Sequence, residues 1–316
     1  MAPAKTYLIM PIKPLVQPWQ AQMGFQRDWV WRGWQTRYTY IRAAKTADPT
    51  APPLLFLHGF GSAIAQWHSN LVSLSQSHTI YALDMLGFGA SEKAAAPYRV
   101  DLWVDQVYDF WRTLIGQPVV LVGHSLGALV SLTAAVAHPE MIRGLVLITL
   151  PAARQETLPE WLQPIVNTLE GAFSSPLLIR PLFNLIRRPN VLRSILRLAY
   201  TNPENVTEDA VASFVAPALD RGAAQAFCRL SQARTKTNFS PQTKLLLPQL
   251  QAPTLMLWGE QDKIIPLAWG RQLPALNPLL QMVEIPETGH FLYEERSQQV
   301  NEEILTWSRQ FSKTVP

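Results

Sequence analysis

The sequence predicts an α/β fold in which a mostly parallel central sheet lies between flanking helices, with a helical cap inserted into it. Two observations carry this expectation. Short, almost wholly apolar runs of strand length recur along the chain, and stretches of helical periodicity separate them. Composition agrees: of 316 residues, 48% are hydrophobic and 16% charged, which excludes disorder and suits strands buried on both faces.

The elements follow in order. Trp29–Trp31 and Gln35–Ile41 flank Arg32-Gly33-Trp34 and read as an antiparallel hairpin at the sheet edge. The buried strands are Leu54–Leu57, Ile80–Leu83, Val119–Val122, Leu145–Ile148, Thr254–Trp258 and Gln281–Ile285, each bounded by Gly, Pro, Asp or a turn. Asp101–Ile115, Leu126–Ala137, Leu267–Leu273 and Phe291–Phe311 are the helical stretches between and after them. The alternation stops between Pro151 and about Pro248. There the chain reads as helices with polar starts: Ser175 before Pro176, Asn190 before Val191 and Thr207 before Glu208. The expected organisation is an N-terminal extension (residues 1–28), a core (29–150 and 249–316) and a helical cap (151–248).

Charge narrows the classes of partner. The net charge of +4 arises within Pro151–Leu245, where 11 basic residues face 7 acidic ones; the rest is balanced. No basic motif interleaved with aromatics accompanies it, so nucleic acid is not the expected partner. No run of 18 uncharged apolar residues exists, and the apolar run Tyr7–Met10 is cut short by Pro11 and Pro14. Neither a spanning helix nor a signal peptide is expected. The expected place is the cytoplasm, with peripheral membrane contact left open. Cys228 is the one cysteine and the six histidines lack ligand spacing, so neither disulfide, metal nor cofactor is implied.

The strongest chemical signal is Gly123-His124-Ser125-Leu126-Gly127, directly after one strand and directly before a helix. A serine at such a strained strand-to-helix turn stands exposed at the carboxyl edge of the sheet, and the residues two positions away on either side must be small. On this context the chain resembles the α/β-hydrolase superfamily, from about Trp29 to the C-terminus. The resemblance implies a triad in the order Ser, acid, His, with Ser125 as nucleophile. His58-Gly59-Phe60-Gly61 follows Leu54–Leu57, where the family places its oxyanion loop, so the resemblance implies the backbone N–H groups of Phe60 and Leu126 as oxyanion donors. Each such donor is typically worth ~3 kcal/mol of barrier. Gly259-Glu260-Gln261-Asp262 resembles the acid loop and puts Asp262 at the acid position, with Glu260 and Glu287 as competitors. His290, in Thr288-Gly289-His290-Phe291, follows the last strand and is the only histidine beyond His138, so it is the expected base. Serine in place of aspartate excludes the haloalkane dehalogenase and epoxide hydrolase branches. Asp84-Met85-Leu86-Gly87-Phe88-Gly89-Ala90-Ser91 resembles the family's second Gly-rich turn and reads as structural.

The cap must speak for the substrate. Gly171–Pro203 holds no acidic residue but five arginines: Arg180, Arg187, Arg188, Arg193 and Arg197. Leu178, Leu182, Leu185 and Ile186 share one helical face, and Leu192, Ile195, Leu196 and Ala199 repeat the pattern. Two readings stand. The leucines cover the core and the arginines are merely solvated, or the cap rests on an anionic membrane, each arginine contributing up to ~1 kcal/mol. The Trp29–Gly33 lead-in, the loop His58–Trp67 and the turn Asp84–Ser91 are together similar to the chlorophyll dephytylase and pheophytinase branch of photosynthetic organisms. That resemblance implies Ser125 attack on the phytyl ester of chlorophyll, at the thylakoid membrane. A soluble esterase of small acyl esters, a C–C bond hydrolase or perhydrolase, and a ligand-binding protein of the same fold remain alternatives.

Overall fold

The computed structural model describes residues 23–157 and 176–311. Its centre is one eight-stranded sheet. In chain order the strands are β1 Phe25–Trp31, β2 Trp34–Ile41, β3 Leu54–Leu57, β4 Ile80–Leu83, β5 Val119–His124, β6 Ile142–Ile148, β7 Thr254–Gly259 and β8 Leu280–Ile285. In space the order is β1-β2-β4-β3-β5-β6-β7-β8. β1 and β2 form an antiparallel hairpin paired antiparallel to β4, and every other neighbour is parallel. β1 begins at Phe25, so residues 25–28 already pair in the sheet.

The apolar runs follow from burial on both faces. Leu55 and Leu57 belong to one core, with Met256 and Trp258 of β7. Leu54 and Phe56 belong to the other, with Val120, Val122, Leu255 and Leu257. Alternate side chains thus point to opposite cores and neither set meets water.

The helices on the sheet are α1 Val100–Leu114, α2 Leu126–Ala137 and, near the C-terminus, α7 Ser297–Ser308. α1 buries Val100, Trp103, Val104, Val107 and Phe110, a stripe at helical spacing, whereas α2 is buried nearly all round. The expected helix Phe291–Phe311 is broken: a single turn, Leu292–Glu295, precedes α7, and Arg296 at φ −133° separates them. Leu267–Leu273 likewise shortens to one turn, Leu267–Gly270.

Between β6 and β7 the described residues include four longer helices, α3 Pro176–Ile186, α4 Pro189–Ala199, α5 Glu208–Ala218 and α6 Ala223–Arg234, besides single turns at Arg154–Thr157 and Thr243–Leu246. The expected start at Ser175 falls outside the described residues. α4 starts at Pro189, with Arg188 as its N-cap rather than at Asn190, because proline fits the first helical position. Thr207 caps α5, its Oγ1 accepting from the Ala210 N–H at 3.1 Å. α3 packs on α6 and α4 on α5. The two roots of the insertion are joined by Glu156, whose carboxylate accepts from the Ala153, Thr243 and Lys244 N–H groups.

Of the two readings left open for the cap, the one in which the leucines cover the core does not hold in α3. Leu178, Leu182 and Leu185 do not cover the core; they are 51%, 50% and 45% exposed. Ile179 and Phe183 are buried instead, with Phe183 packed on Phe227. In α4, Leu192, Leu196 and Ala199 are buried as expected, while Ile195 is exposed.

Candidate active site

From β3 the chain proceeds to β4 on one side, and β5 returns on the other. The loops after β3 and β5 therefore diverge at the sheet's carboxyl edge, leaving the crevice where open α/β sheets take ligands. Ser125 ends β5 there at φ 52°, ψ −116°, conformations that a residue with a side chain rarely adopts. Close approach explains the two glycines of the motif. A Cβ on Gly123 would lie 2.3 Å from the Gly127 carbonyl oxygen, and one on Gly127 would lie 2.3 Å from that of Leu57.

The loop after β3 lies against this turn. A Cβ on Gly59 would fall 2.8 Å from Nδ1 of His124 and 3.5 Å from the Cβ of Ser125. The N–H groups of Phe60 and Leu126 donate to no acceptor among the described residues. Leu126 opens α2, whose first N–H groups lack helical partners and carry the positive end of the helix dipole.

Two buried side chains fix this loop. His58 accepts from the Met85 N–H at Nε2 (3.0 Å), so its hydrogen sits on Nδ1 and is donated to the Gly59 carbonyl (2.7 Å). Burial pushes its pKa down to about 4 and keeps it neutral. Asp84 accepts from the Ile64 N–H (2.6 Å) and the Ala90 N–H (2.7 Å), tying the loop to the second Gly-rich turn. Burial raises Asp84 to about 6, against those hydrogen bonds.

Asp262 and His290 come together from loops after β7 and β8. His290 donates from Nδ1 to Oδ2 of Asp262 at 2.8 Å, and both side chains are buried. That bond leaves the Nε2 lone pair of His290 free to accept a proton. The other carboxylate oxygen, Oδ1, accepts from the N–H groups of Ile264 and Ile265, both at 2.8 Å. Glu260 is exposed, and Glu287 is exposed and paired with Arg296. No described hydrogen bond reaches the Ser125 hydroxyl. His124, the neighbour of Ser125, nevertheless donates from Nε2 to the His290 carbonyl at 3.0 Å, which brings the β5 and β8 loops together.

Several contributors escape sequence reasoning. His124 looks like the variable residue of a motif, and its partner lies 166 positions away. Glu295 accepts from the N–H groups of Gly289 and Thr201, both at 2.8 Å, and the His290 N–H donates to the Ala199 carbonyl at 2.8 Å. The end of α4 is thereby bonded to the His290 loop. On the other side Lys93, its side chain 5% exposed, donates to the carbonyls of Gly89 and Ser91 and pairs with Asp220 at 3.0 Å. Only the long-range fold could reveal these links.

A small cavity of about 60 Å³ opens between this edge and the inserted helices, lined by Phe60, Phe88, Phe183, Phe214, Phe227 and Leu230 among others. Its walls are largely aromatic. Among the described residues Lys93 is its one charged lining residue.

Comparison with known proteins agrees with this architecture. Residues 52–297 match the family described as alpha/beta hydrolase fold. The chain is similar to "Uncharacterized hydrolase YugF" of Bacillus subtilis, with 26% identity over 81% of this chain and 90% of the relative. It is similar to "Pheophytinase, chloroplastic" of Arabidopsis thaliana, with 24% identity over 81% of this chain and 61% of that protein. Among solved structures, a bacterial membrane phospholipase A superposes with a TM-score of 0.74 at 21% identity, covering 94% of this chain and 89% of the other. The sheet order, the strained serine at its edge and the family match over most of the length lead to one conclusion: the chain belongs to the alpha/beta hydrolase fold family and is a hydrolase.

Proposed function

We propose that this hydrolase is a serine esterase that cleaves a carboxylic ester of a lipophilic alcohol through Ser125, His290 and Asp262. The observation that carries the reading is the Nδ1–Oδ2 pair of His290 and Asp262, beside a serine held at φ 52° on the sheet edge. Ser125 Oγ attacks the ester carbonyl carbon while its proton passes to His290 Nε2. Asp262 holds the tautomer that leaves that nitrogen bare and stabilises the imidazolium. The carbonyl oxygen becomes an oxyanion held by the N–H groups of Phe60 and Leu126. His290 then protonates the departing alkoxide, the alcohol leaves, and Ser125 carries the acyl group. A water, deprotonated by His290, attacks the acyl carbon; the acid departs and Ser125 regains its proton.

The aromatic cavity supports a lipophilic substrate, because apolar walls take hydrocarbon without leaving buried polar groups unpaired. The phytyl ester of chlorophyll, cleaved to chlorophyllide and phytol, is the substrate we put first, and the likeness to pheophytinase supports it. Such an ester dissolves in membrane, so its hydrolase would work at the thylakoid surface.

Wild type and Ser125→Ala incubated with chlorophyll a in detergent, beside a short-chain p-nitrophenyl ester, test both levels of the proposal. Chlorophyllide from wild type alone is the expected result. Cleavage of only the short ester would remove the phytyl substrate and leave a general esterase. A fluorophosphonate probe that failed to label Ser125 would sink the enzyme mechanism, and His290→Ala is expected to lose labelling by several orders of magnitude.

A further inference from the structure

The outward leucines of the insertion are unaccounted for by the hydrolytic site. Along α3, Leu178, Leu182 and Leu185 fall at i, i+4 and i+7, one continuous stripe, and each is about half exposed. α4, which packs against α3, adds Ile195 and Leu198 at 41% and 64% exposure. At 100° per residue, Arg180 lies on the opposite flank of α3 from these leucines, Arg187 follows the end of that helix, and Arg197 lies about 160° round α4 from Ile195 and about 100° from Leu198. Arg180, Arg188 and Arg197 are exposed, and none of Arg180, Arg187, Arg188 and Arg197 has an ion pair among the described residues. Among the described residues Arg193 is the arginine of the set that is paired, with Glu208 at 2.6 Å.

A surface helix in water normally turns its large aliphatic side chains inward. Here the inward positions are already filled by Ile179, Phe183, Leu192 and Leu196, and a second apolar set faces out among cations. That combination of exposed leucine and of arginine without an ion pair among the described residues, with no acidic residue from Gly171 to Pro203, matches a surface that is apolar inside and anionic outside.

We propose that α3 and α4 form a docking surface for an anionic lipid bilayer, with Leu178, Leu182, Leu185, Ile195 and Leu198 entering the acyl boundary and the arginines meeting the headgroup phosphates. The proposal supplies the partner of the esterase site proposed above and rests on that reading only for its purpose. Docking places the aromatic cavity, which Phe183 of α3 lines, next to lipid. An ester would then enter from the membrane without crossing water.

Flotation of the full chain carrying Ser125→Ala, with phosphatidylcholine vesicles and with vesicles that also contain phosphatidylglycerol, tests this independently of catalysis. Binding to the anionic vesicles that weakens at high salt is expected. Arg180→Gln with Arg197→Gln is expected to lower the partition coefficient roughly tenfold or more. Leu182→Ser with Leu185→Ser is expected to lower it by a similar factor at unchanged salt dependence. Because these side chains are exposed, the same substitutions in the active enzyme should leave turnover of a soluble short-chain ester and the melting temperature unchanged. Absence of binding to anionic vesicles would overturn the proposal. So would sedimentation of wild type as a dimer that the leucine variant dissolves, since a second copy would then cover the stripe. Loss of esterase activity with vesicle binding intact would instead remove the proposed mechanism and leave the docking surface.

Discussion

At the scale of single residues, the site depends on buried histidines outside the proposed triad. His124 sits beside Ser125 and spends its one ring hydrogen on the His290 carbonyl, while its Nδ1 has no partner. Burial holds its pKa well below the ordinary value, so it stays a neutral donor. Its part is to position His290. His124→Ala is expected to lower kcat about tenfold, the worth of one buried hydrogen bond, with KM for a short-chain ester unchanged. A kcat equal to wild type would show that the His290 loop holds its place without it; a fall in KM and kcat together would indicate general loosening. Ser125 was legible in the sequence because its chemistry is local: five residues between a strand and a helix define the turn. Asp262 and His290 were legible only through family order, since 28 residues separate two groups that meet at 2.8 Å. His124, whose partner is far along the chain, was not legible at all.

At the scale of elements, strands were read more faithfully than helices, for a physical reason. β3 and β4 lie between two cores, so every residue is constrained to be apolar and the run itself marks the strand, at Leu54–Leu57 and Ile80–Leu83. In α3 the periodicity reveals a face but not its direction. Ile179 and Phe183 form a stripe as apolar as the leucines, and aromatic packing on Phe227 decides which turns inward. The broken C-terminal helix has a similar cause: Glu295 ends the turn Leu292–Glu295 and binds N–H groups of two other loops, a demand that helical periodicity cannot register. Burial raises the Glu295 pKa, and its backbone hydrogen bonds work against that shift. Glu295→Ala would leave those N–H groups without an acceptor and is expected to cost roughly 2–4 kcal/mol of stability, read from urea midpoints. Activity should fall further than stability, because the same N–H groups fix the His290 loop. Equal stability and activity to wild type would show that water replaces the carboxylate without consequence.

At the scale of the whole molecule, two cores share one sheet, and their buried titratable groups set the response to acid. The folded chain resists protonating His58, whose pKa is about 4 against an ordinary 6.5, so stability is lost as pH falls through that window, by up to ~3 kcal/mol from this group. His124, lowered for the same reason, adds to the loss. Asp84 opposes both: raised to about 6 from 3.8, it holds a proton that the unfolded chain releases, so stability is regained as pH falls between those values. Burial also lowers His78 and raises Glu294 and Glu295, so losses from histidines and gains from carboxyls oppose each other. The ordinary histidine value of 6.5 lies above the 6 of folded Asp84, so urea midpoints should begin to decline as pH falls from neutrality to about 6. A rise over that range would mean that the raised carboxyls dominate. The bond between the His290 N–H and the Ala199 carbonyl has a consequence for redesign. An insertion exchanged wholesale for that of a relative, in the hope of importing its substrate, would bring a foreign backbone to the point where Ala199 now anchors the His290 loop. Such a chimera would inherit a new cavity and lose the machinery beneath it. Exchanges confined to α3 and α6, which carry Phe183 and Phe227 and lie outside that bond, are the segments through which specificity can be transplanted.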